Sequence, residues 1–264
     1  MIYVPNFLQK AILGLLLFIG GLPAQATPSI HPIKKVLLVV AMDSEALPII
    51  QSLGLKPIKH SFSDLPMRGY EGKLGNKEIV LIKNGEDPIH KVQNIGTQAA
   101  TLSTYLGIEF FHPDFIISIG TAGAVPESGA GLMDIYLSHT IYFFDRRIPM
   151  KGYENYGRGA FPSTPISTDL INKIGFKTGV VCSGDSFDEE QVDYKVFLKE
   201  HCAAIDMEAA SVAWVSMLTK TPMIAIKGIT NFVRGKQIHA EHKKYLPVVT
   251  KNLAITLKKL LLSM

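Results

Sequence analysis

Apolar and polar positions along the 264-residue chain alternate between two kinds of segment. Residues 34–42, KKVLLVVAM, contain a continuous apolar run rich in β-branched side chains, which is typical of a strand buried on both faces. The next segment, DSEALPIIQSLG, predicts a helix, because its early acidic residues suit the positive end of the helix dipole. The same two patterns alternate as far as the C-terminus.

The remaining elements follow from these patterns. Strands are predicted in RGYEGKLGNKEIVLIKNG, as two short strands that turn at Gly75-Asn76, and in HPDFIISIGTAGAV, DIYLSHTIYFF, KTGVVCSG, CAAID and PMIAIKGIT. Helices are predicted in 90–107, which stops at a glycine, in 167–174, and in DYKVFLKEH, MEAASVAWVSMLTK and HKKYLPVVTKNLAITLKKLLL. The last of these helices carries an apolar stripe formed by Leu246, Val249, Leu253, Leu257 and Leu260.

Strands that alternate with helices predict an α/β fold. We expect a single domain over residues 34–264, built as a three-layer sandwich with a mixed central β-sheet covered on both faces. No internal repeat or linker divides it. Residues 145–163 form the longest irregular segment, rich in glycine, tyrosine and arginine, and are a candidate pocket loop.

The first 26 residues have a different character. Lys10 precedes the short apolar segment AILGLLLFIGGLP, and the small residues AQA follow, which is the layout of a secretory signal peptide. The apolar segment is shorter than the roughly 20 residues that span a bilayer. We expect cleavage after Ala26, export to the periplasm or the exterior, and no stable membrane association afterwards. The alternative is an anchor that stays uncleaved.

Composition and charge exclude few classes of protein. The chain is 47% hydrophobic and 19% charged with a formal charge of +4, and it lacks the basic stripe that nucleic-acid binding requires. Cys182 and Cys202 each lie in an apolar strand, which favours buried free thiols, although their pairing stays open. His239 and His242 have only Glu241 as a nearby ligand group, so we expect a solvated face rather than a metal site.

Candidate chemistry lies at the carboxyl ends of the predicted strands, where α/β sheets bind their ligands. Four stretches follow strands there, AMDSEA, SIGTAGA, CSGDSF and KGITN, and AIDMEAA joins a strand to a helix. Each has a simple structural explanation when taken alone. Glu45 and Glu208 suit helix starts, and Gly120 with Gly123 permits a tight turn.

Together, in this order and spacing, the five stretches resemble the nucleosidases that cleave methylthioadenosine and adenosylhomocysteine, within the purine nucleoside phosphorylase superfamily. The resemblance runs from about residue 34 to the C-terminus. FFDRRIP followed by YENYG, and NGEDPIHKVQNIGT, are similar to the plant-type branch. The resemblance implies a nucleoside phosphorylase-like fold, a purine nucleoside substrate, no cofactor and a homodimer.

The resemblance also assigns roles to individual residues. Glu45 would take a proton from the attacking water, and Glu208 would accept hydrogen bonds from the ribose hydroxyls. Met207 would pack on the sugar and Phe187 would stack on the purine. The other residues expected to bind substrate are the loop Gly120, Thr121, Ala122 and Gly123, together with Asp185 and Thr230.

Hydrolysis is favoured over phosphorolysis by the residues that are missing. Phosphorolytic relatives bring arginines to the phosphate in the N-terminal loop and just before the glycine loop, and AMDSEA and IISIGTAG contain none. The carboxylate of Glu45 would repel phosphate. Arg146, Arg147 and Arg158 in the irregular segment are expected to be exposed and solvated.

Asn231 departs from the pattern of the family. The nucleosidases have an aspartic acid there that protonates the departing adenine, whereas a neutral amide only donates a hydrogen bond. Three alternatives stay open: a 6-oxopurine nucleoside as substrate, slow cleavage of adenine nucleosides with Asp185 or a water as proton donor, or a pocket that binds without turnover. Hydrolysis ranks first, because Glu45 and Glu208 are both present.

Overall fold

The computed structural model describes residues 32–59, 62, 64–235 and 237–264. The predicted signal peptide, residues 1–26, lies outside the described residues. The strands are β1 Lys35–Val40, β2 Lys56–Pro57, β3 Arg68–Leu74, β4 Lys77–Lys83, β5 Phe115–Ala124, β6 Ile135–Phe143, β7 Phe161–Pro162, β8 Lys177–Ser183, β9 Cys202–Asp206 and β10 Met223–Phe232. The α-helices are α1 Asp43–Leu53, α2 Thr97–Phe111, α3 Glu154–Arg158, α4 Thr168–Ile174, α5 Gln191–Lys199, α6 Ala209–Thr219 and α7 Ile238–Ser263.

The strands form one mixed sheet, which confirms the predicted α/β class. The order is β10-β6-β8-β9-β5-β1-β4-β3-β2, with β7 beside β6, and β5 also pairs with β10. The first half of β5 lies beside β1, and its last residues pair with β9, while β10 runs along its other side. The extra β5–β10 pairing makes part of the sheet curl back on itself and brings several strand ends together.

Helices cover both faces of the sheet, and β1 illustrates the reason. Val36, Leu38 and Val40 pack in one apolar cluster with residues of α1 and α7, whereas Leu37 and Val39 pack in another with residues of α2 and α6. Because successive side chains of a strand point to opposite faces, a continuous apolar run fits a strand buried on both sides. No helix in the described ranges is long and apolar enough to cross a bilayer.

Two predicted helices have different limits in the structure. The helix predicted at 90–107 begins only at Thr97, and it continues through Gly107 to Phe111. A Cβ atom at Gly107 would lie 2.5 Å from Leu37 Cδ2, so this glycine permits close packing on β1 instead of ending the helix. The last helix begins earlier than predicted, at Ile238. Segment 145–163 is not wholly irregular, since it contains α3 and β7.

The prediction of free thiols was wrong. Cys182 in β8 and Cys202 in β9 form a disulfide, with their Cα atoms 5.9 Å apart. The two strands are parallel neighbours, so the sheet brings together cysteines that are separated by 20 residues in sequence. That Cα separation lies within the usual range for a disulfide.

Candidate active site

A pocket lies at the carboxyl ends of β1, β5, β9 and β10, where the sheet curls. Most of the predicted site residues line it, so the structure brings together segments that are far apart in sequence. These lining residues are Glu45, Thr121, Ala122, Gly123, Phe187, Met207, Glu208, Thr230 and Asn231. Sequence reasoning missed several others, namely Met42, Ile95, Ser186, Asp206, Val233 and His242.

Glu45 is held rigidly at the pocket wall. Its Oε1 atom accepts hydrogen bonds from the backbone N–H of Thr121 at 2.6 Å and from the Thr121 hydroxyl at 2.8 Å. Its Oε2 atom accepts the backbone N–H of Met42 at 3.2 Å, as a glutamate in the first turn of a helix often does. The side chain is 4% exposed. Glu45 therefore caps α1 and also presents a fixed carboxylate to the pocket.

Gly120 and Asp185 do not line the pocket. A Cβ atom at Gly120 would lie 2.8 Å from Glu45 Oε1, so this glycine makes room for the carboxylate instead of touching a ligand. The Asp185 carboxylate accepts hydrogen bonds from the backbone N–H and hydroxyl of Thr97 and from the side-chain amide of Gln98. It thus orders the start of α2, which is the loop-ordering role rather than contact with a ligand.

Glu208 lies at the start of α6, across the pocket from α1. Its Oε1 atom accepts the backbone N–H of Gly96 at 3.1 Å. Burial raises the pKa of Glu208 to about 7, and the carboxylate of Asp206 adds to the rise. Lys227 opposes that rise, whereas Glu45 is close enough to contribute to it. The carboxylates of Glu45 and Glu208 are therefore close enough to interact electrostatically.

A buried ion pair lies close to Glu208. Lys227 Nζ is 2.6 Å from Asp206 Oδ2, and the two side chains are 1% and 0% exposed. Burial alone would lower the pKa of Lys227, but the carboxylates of Asp206 and Glu208 raise it overall. Asp206 is also held by the hydroxyl of Ser183 and by the backbone N–H of Ala209. A lysine inside the apolar run of β10 was the sequence signal for this pair.

The pocket region carries excess negative charge. Glu45, Asp206 and Glu208 line it with carboxylates, whereas the ammonium of Lys227 compensates only one of them. Such a surface favours a ligand that is neutral or develops positive charge, and it disfavours an anion.

Asn231 lies at the end of β10 in a short hydrogen-bonded chain. The Thr230 hydroxyl donates to Asn231 Oδ1 at 2.9 Å, which directs the amide NH₂ toward Gly123. The same hydroxyl lies 3.0 Å from Nδ1 of His242 on α7. Burial lowers the pKa of His242, while the Glu45 carboxylate opposes that effect.

The predicted solvated face holds for His239, which is exposed, but was wrong for His242, which lines the pocket. The His239 ring stacks on Phe187, with centroids 5.2 Å apart and an angle of 19° between the rings, and the His242 ring meets Phe187 edge-on. Spacing of three residues puts both histidines on one side of α7, the helix that follows β10 and its Asn231. That spacing was the available signal.

The arginines of segment 145–163 are engaged elsewhere, and none lines the pocket. Arg147 pairs with the buried Asp193, and Arg158 pairs with Glu200 at 3.0 Å. Arg146 lies over the rings of Phe143 and Tyr156. The Arg147 and Arg158 side chains are 46% and 36% exposed, as predicted, and their ion pairs also fasten the loop to the body of the protein. In the described parts of the chain, no three His, Cys, Asp or Glu side chains are grouped to hold a metal ion.

Comparison with known proteins agrees with this geometry. A family model described as phosphorylase superfamily matches residues 35–262. The 5′-methylthioadenosine nucleosidase of Arabidopsis thaliana is 34% identical over 88% of this chain and 88% of its own. The 5′-methylthioadenosine/S-adenosylhomocysteine nucleosidase of the same plant is 34% identical over 88% of this chain and 92% of its own. The apo structure of the Arabidopsis 5′-methylthioadenosine nucleosidase matches with a TM-score of 0.86 and 33% identity, over 88% of this chain and 96% of that one.

The chain therefore belongs to the phosphorylase superfamily and, within it, to the 5′-methylthioadenosine/S-adenosylhomocysteine nucleosidase family. This finding confirms the predicted family and fold.

Proposed function

We propose that the protein is a nucleosidase that hydrolyses the N-glycosidic bond of a purine nucleoside and releases the free base. One observation carries the proposal: the carboxylates of Glu45 and Glu208 line the same pocket and influence each other electrostatically. Cleavage of this bond passes through a sugar with cationic character, which carboxylates stabilise. The names of the Arabidopsis relatives support methylthioadenosine and adenosylhomocysteine as the first substrates to test.

Glu45 is the proposed general base. Its three hydrogen-bond donors fix the direction of its lone pairs, so that it can take a proton from a water beside the sugar. Glu208 and Met207 would hold the ribose from the opposite side. Phe187 stacks on His239 and lines the pocket, where its ring would contact the purine.

Water is the proposed nucleophile, because the electrostatics of the pocket disfavour phosphate. Among the described residues no arginine lines it, and Lys227 is paired with Asp206. A phosphate dianion would face Glu45, Asp206 and Glu208, and the ammonium of Lys227 is already paired with Asp206. This arrangement of charges therefore disfavours phosphorolysis, which is the alternative reaction.

Asn231 affects which purine base the pocket would accept. Its NH₂ group can donate a hydrogen bond to a purine ring nitrogen or to a 6-oxo group, but it does not supply a proton. An inosine- or guanosine-like nucleoside is therefore the second substrate class to test. A pocket that binds nucleosides without turnover is the remaining alternative, and the retained Glu45 geometry argues against it.

A nucleoside panel tests this function. Purified protein would be incubated with methylthioadenosine, adenosylhomocysteine, adenosine, inosine and guanosine, with and without phosphate. We expect release of free base from at least one nucleoside at the same rate in both buffers. Release that requires phosphate would identify a phosphorylase, and saturable binding without any release would identify a binding protein.

We propose in addition that the protein is exported. The layout around Lys10 and Ala26 supports this, as does the Cys182–Cys202 disulfide, because such bonds persist mainly in oxidising compartments. Amino-terminal sequencing of the native protein should begin at Thr27. A chain that starts at Met1 and stays with the membrane fraction would instead support an uncleaved anchor.

We also propose a homodimer, formed through α2 and α6. These helices pack side by side and expose large apolar side chains, which a second copy would cover. The side chains are Leu102, Tyr105, Phe110, Met217 and Leu218. Light scattering should give twice the mass of one chain, and Leu218→Glu should shift the protein toward monomer. A monomeric wild-type protein at micromolar concentration would contradict this proposal.

A further inference from the structure

The proposed hydrolysis requires a proton for the departing purine, and Asn231 does not supply one. The hydrogen-bonded chain that starts at Asn231 leads through Thr230 to His242, whose imidazole can supply a proton. Thr230 has one hydroxyl proton, and its two other neighbours, Asn231 Oδ1 and the carbonyl oxygen of Ala122, are both acceptors. The hydroxyl therefore accepts from His242, which fixes a proton on Nδ1 of that ring.

Because Nδ1 of His242 is bound to Thr230, Nε2 is the ring nitrogen that can exchange a proton with a ligand in the pocket. No described residue makes a hydrogen bond with Nε2, and the ring lines the pocket together with Asn231 and Glu45. The neutral ring thus presents a lone pair at Nε2, and protonation converts that nitrogen into an N–H donor. Phe187, whose ring His242 meets edge-on, keeps the imidazole beside the proposed purine position.

We propose, on the basis of the nucleosidase function above, that His242 is a catalytic residue and that its imidazolium gives the leaving purine the proton that Asn231 cannot give. As the bond between the sugar carbon and the purine nitrogen breaks, its electron pair moves into the purine, and a ring nitrogen takes the Nε2 proton. Water forms the new bond to the sugar and passes a proton to Glu45. His242 then regains a proton and Glu45 loses one, so the sum is nucleoside plus water giving base plus sugar.

The surroundings of His242 set the pH range of this step. Glu45 from α1 is the anion that faces it, and His239 on the same helix opposes its protonation. The strand and the loop beside it contribute Thr230, Asn231 and Phe187, which are neutral. Burial lowers the pKa of His242 below 6.5 in the free protein. The imidazolium of the free protein is therefore lost as pH rises through that pKa, and kcat/KM should fall with it.

Substitution at His242, alone and with an acid restored at position 231, tests the proposal. His242→Gln should lower kcat by about 10²-fold or more with little change in KM, and it should abolish the alkaline fall in kcat/KM. Asn231→Asp in the same chain should recover most of the lost kcat, because a carboxylic acid then supplies the proton. His139→Gln, on the exposed surface of β6, is the matched control and should behave like the wild type.

A kcat of His242→Gln equal to that of the wild type, or a loss that Asn231→Asp does not recover, would overturn the proposal. Nuclear magnetic resonance gives a test that needs no variant. The pKa of His242 should rise when adenine or hypoxanthine binds, because the base accepts a hydrogen bond from Nε2–H; an unchanged titration would count against it. A wild type that releases no base from any nucleoside refutes the proposed function as well, whereas an active wild type with an unaffected His242→Gln refutes this step alone.

Discussion

Lys227 and Asp206 form an ion pair that is almost completely buried, with Nζ 2.6 Å from Oδ2. Asp206 lines the pocket and is bonded in turn to the start of α6, where Glu208 lies. The pair therefore ties β10, which carries Asn231, to the segment that carries Glu208.

Removal of the lysine should destabilise the fold severely. Lys227→Met leaves Asp206 buried without its cation, and the expected loss in the free energy of unfolding is about 3–5 kcal/mol. Urea denaturation measures it. Lys251→Met, on the exposed side of α7, is the matched control and should change stability by no more than about 0.5 kcal/mol. If both variants unfold at the same urea concentration, the pair does not hold the site together.

Gly120→Ala should impair catalysis without unfolding the protein. The added Cβ would meet Glu45 Oε1 at 2.8 Å, so the carboxylate must shift from its place on Thr121. A displacement of about 1 Å at a reacting group costs about 10²-fold in rate. Steady-state kinetics should show this loss in kcat with a nearly normal thermal unfolding curve. Wild-type kcat in Gly120→Ala would remove Glu45 from its proposed role.

Glu208 should make stability depend on pH. Its pKa is about 7 in the folded protein, against 4.5 as its ordinary value, so the folded state binds more protons between these limits. The contribution of Glu208 to stability is thus best at low pH, falls as pH rises from about 4.5 to about 7, and is constant above that. Glu208→Gln should be more stable than the wild type at pH 8, and the difference should shrink toward pH 4.5. A difference that does not vary with pH would contradict the raised pKa.

The disulfide should contribute to stability. Cys182 and Cys202 enclose a loop of about 20 residues, for which a stabilisation of about 3 kcal/mol is expected. The double variant Cys182→Ala, Cys202→Ala should lose about that much free energy of unfolding, and reduction of the wild type should have the same effect. Mass spectrometry that finds two free thiols in the native protein would contradict the pairing.

Local sequence patterns predicted many of the buried faces and much of the pocket lining. The apolar run of β1 and the stripe of α7 identify buried faces because their periodicity reflects which side chains meet the core. The five motif stretches predicted most of the pocket lining, since the carboxyl ends of neighbouring strands meet at one edge of a sheet.

What escaped prediction depends on pairing between distant segments. Lys227 and Asp206 lie on strands that flank β5, and only the curled sheet brings them together. His242 reaches the pocket because α7 starts earlier than its apolar stripe indicates. The Cys182–Cys202 bond likewise depends on the β8–β9 pairing, which the sequence around each cysteine does not specify.

Hydrolysis in water enriched in oxygen-18, without phosphate, tests the central claim most directly. The wild type should release purine and place one oxygen-18 atom on the sugar carbon that carried the base, whereas Glu45→Gln should still bind the nucleoside but lose turnover by about 10²-fold or more. Label-free sugar phosphate formed only when phosphate is added, or equal turnover by wild type and Glu45→Gln, would contradict a water-activating role for Glu45.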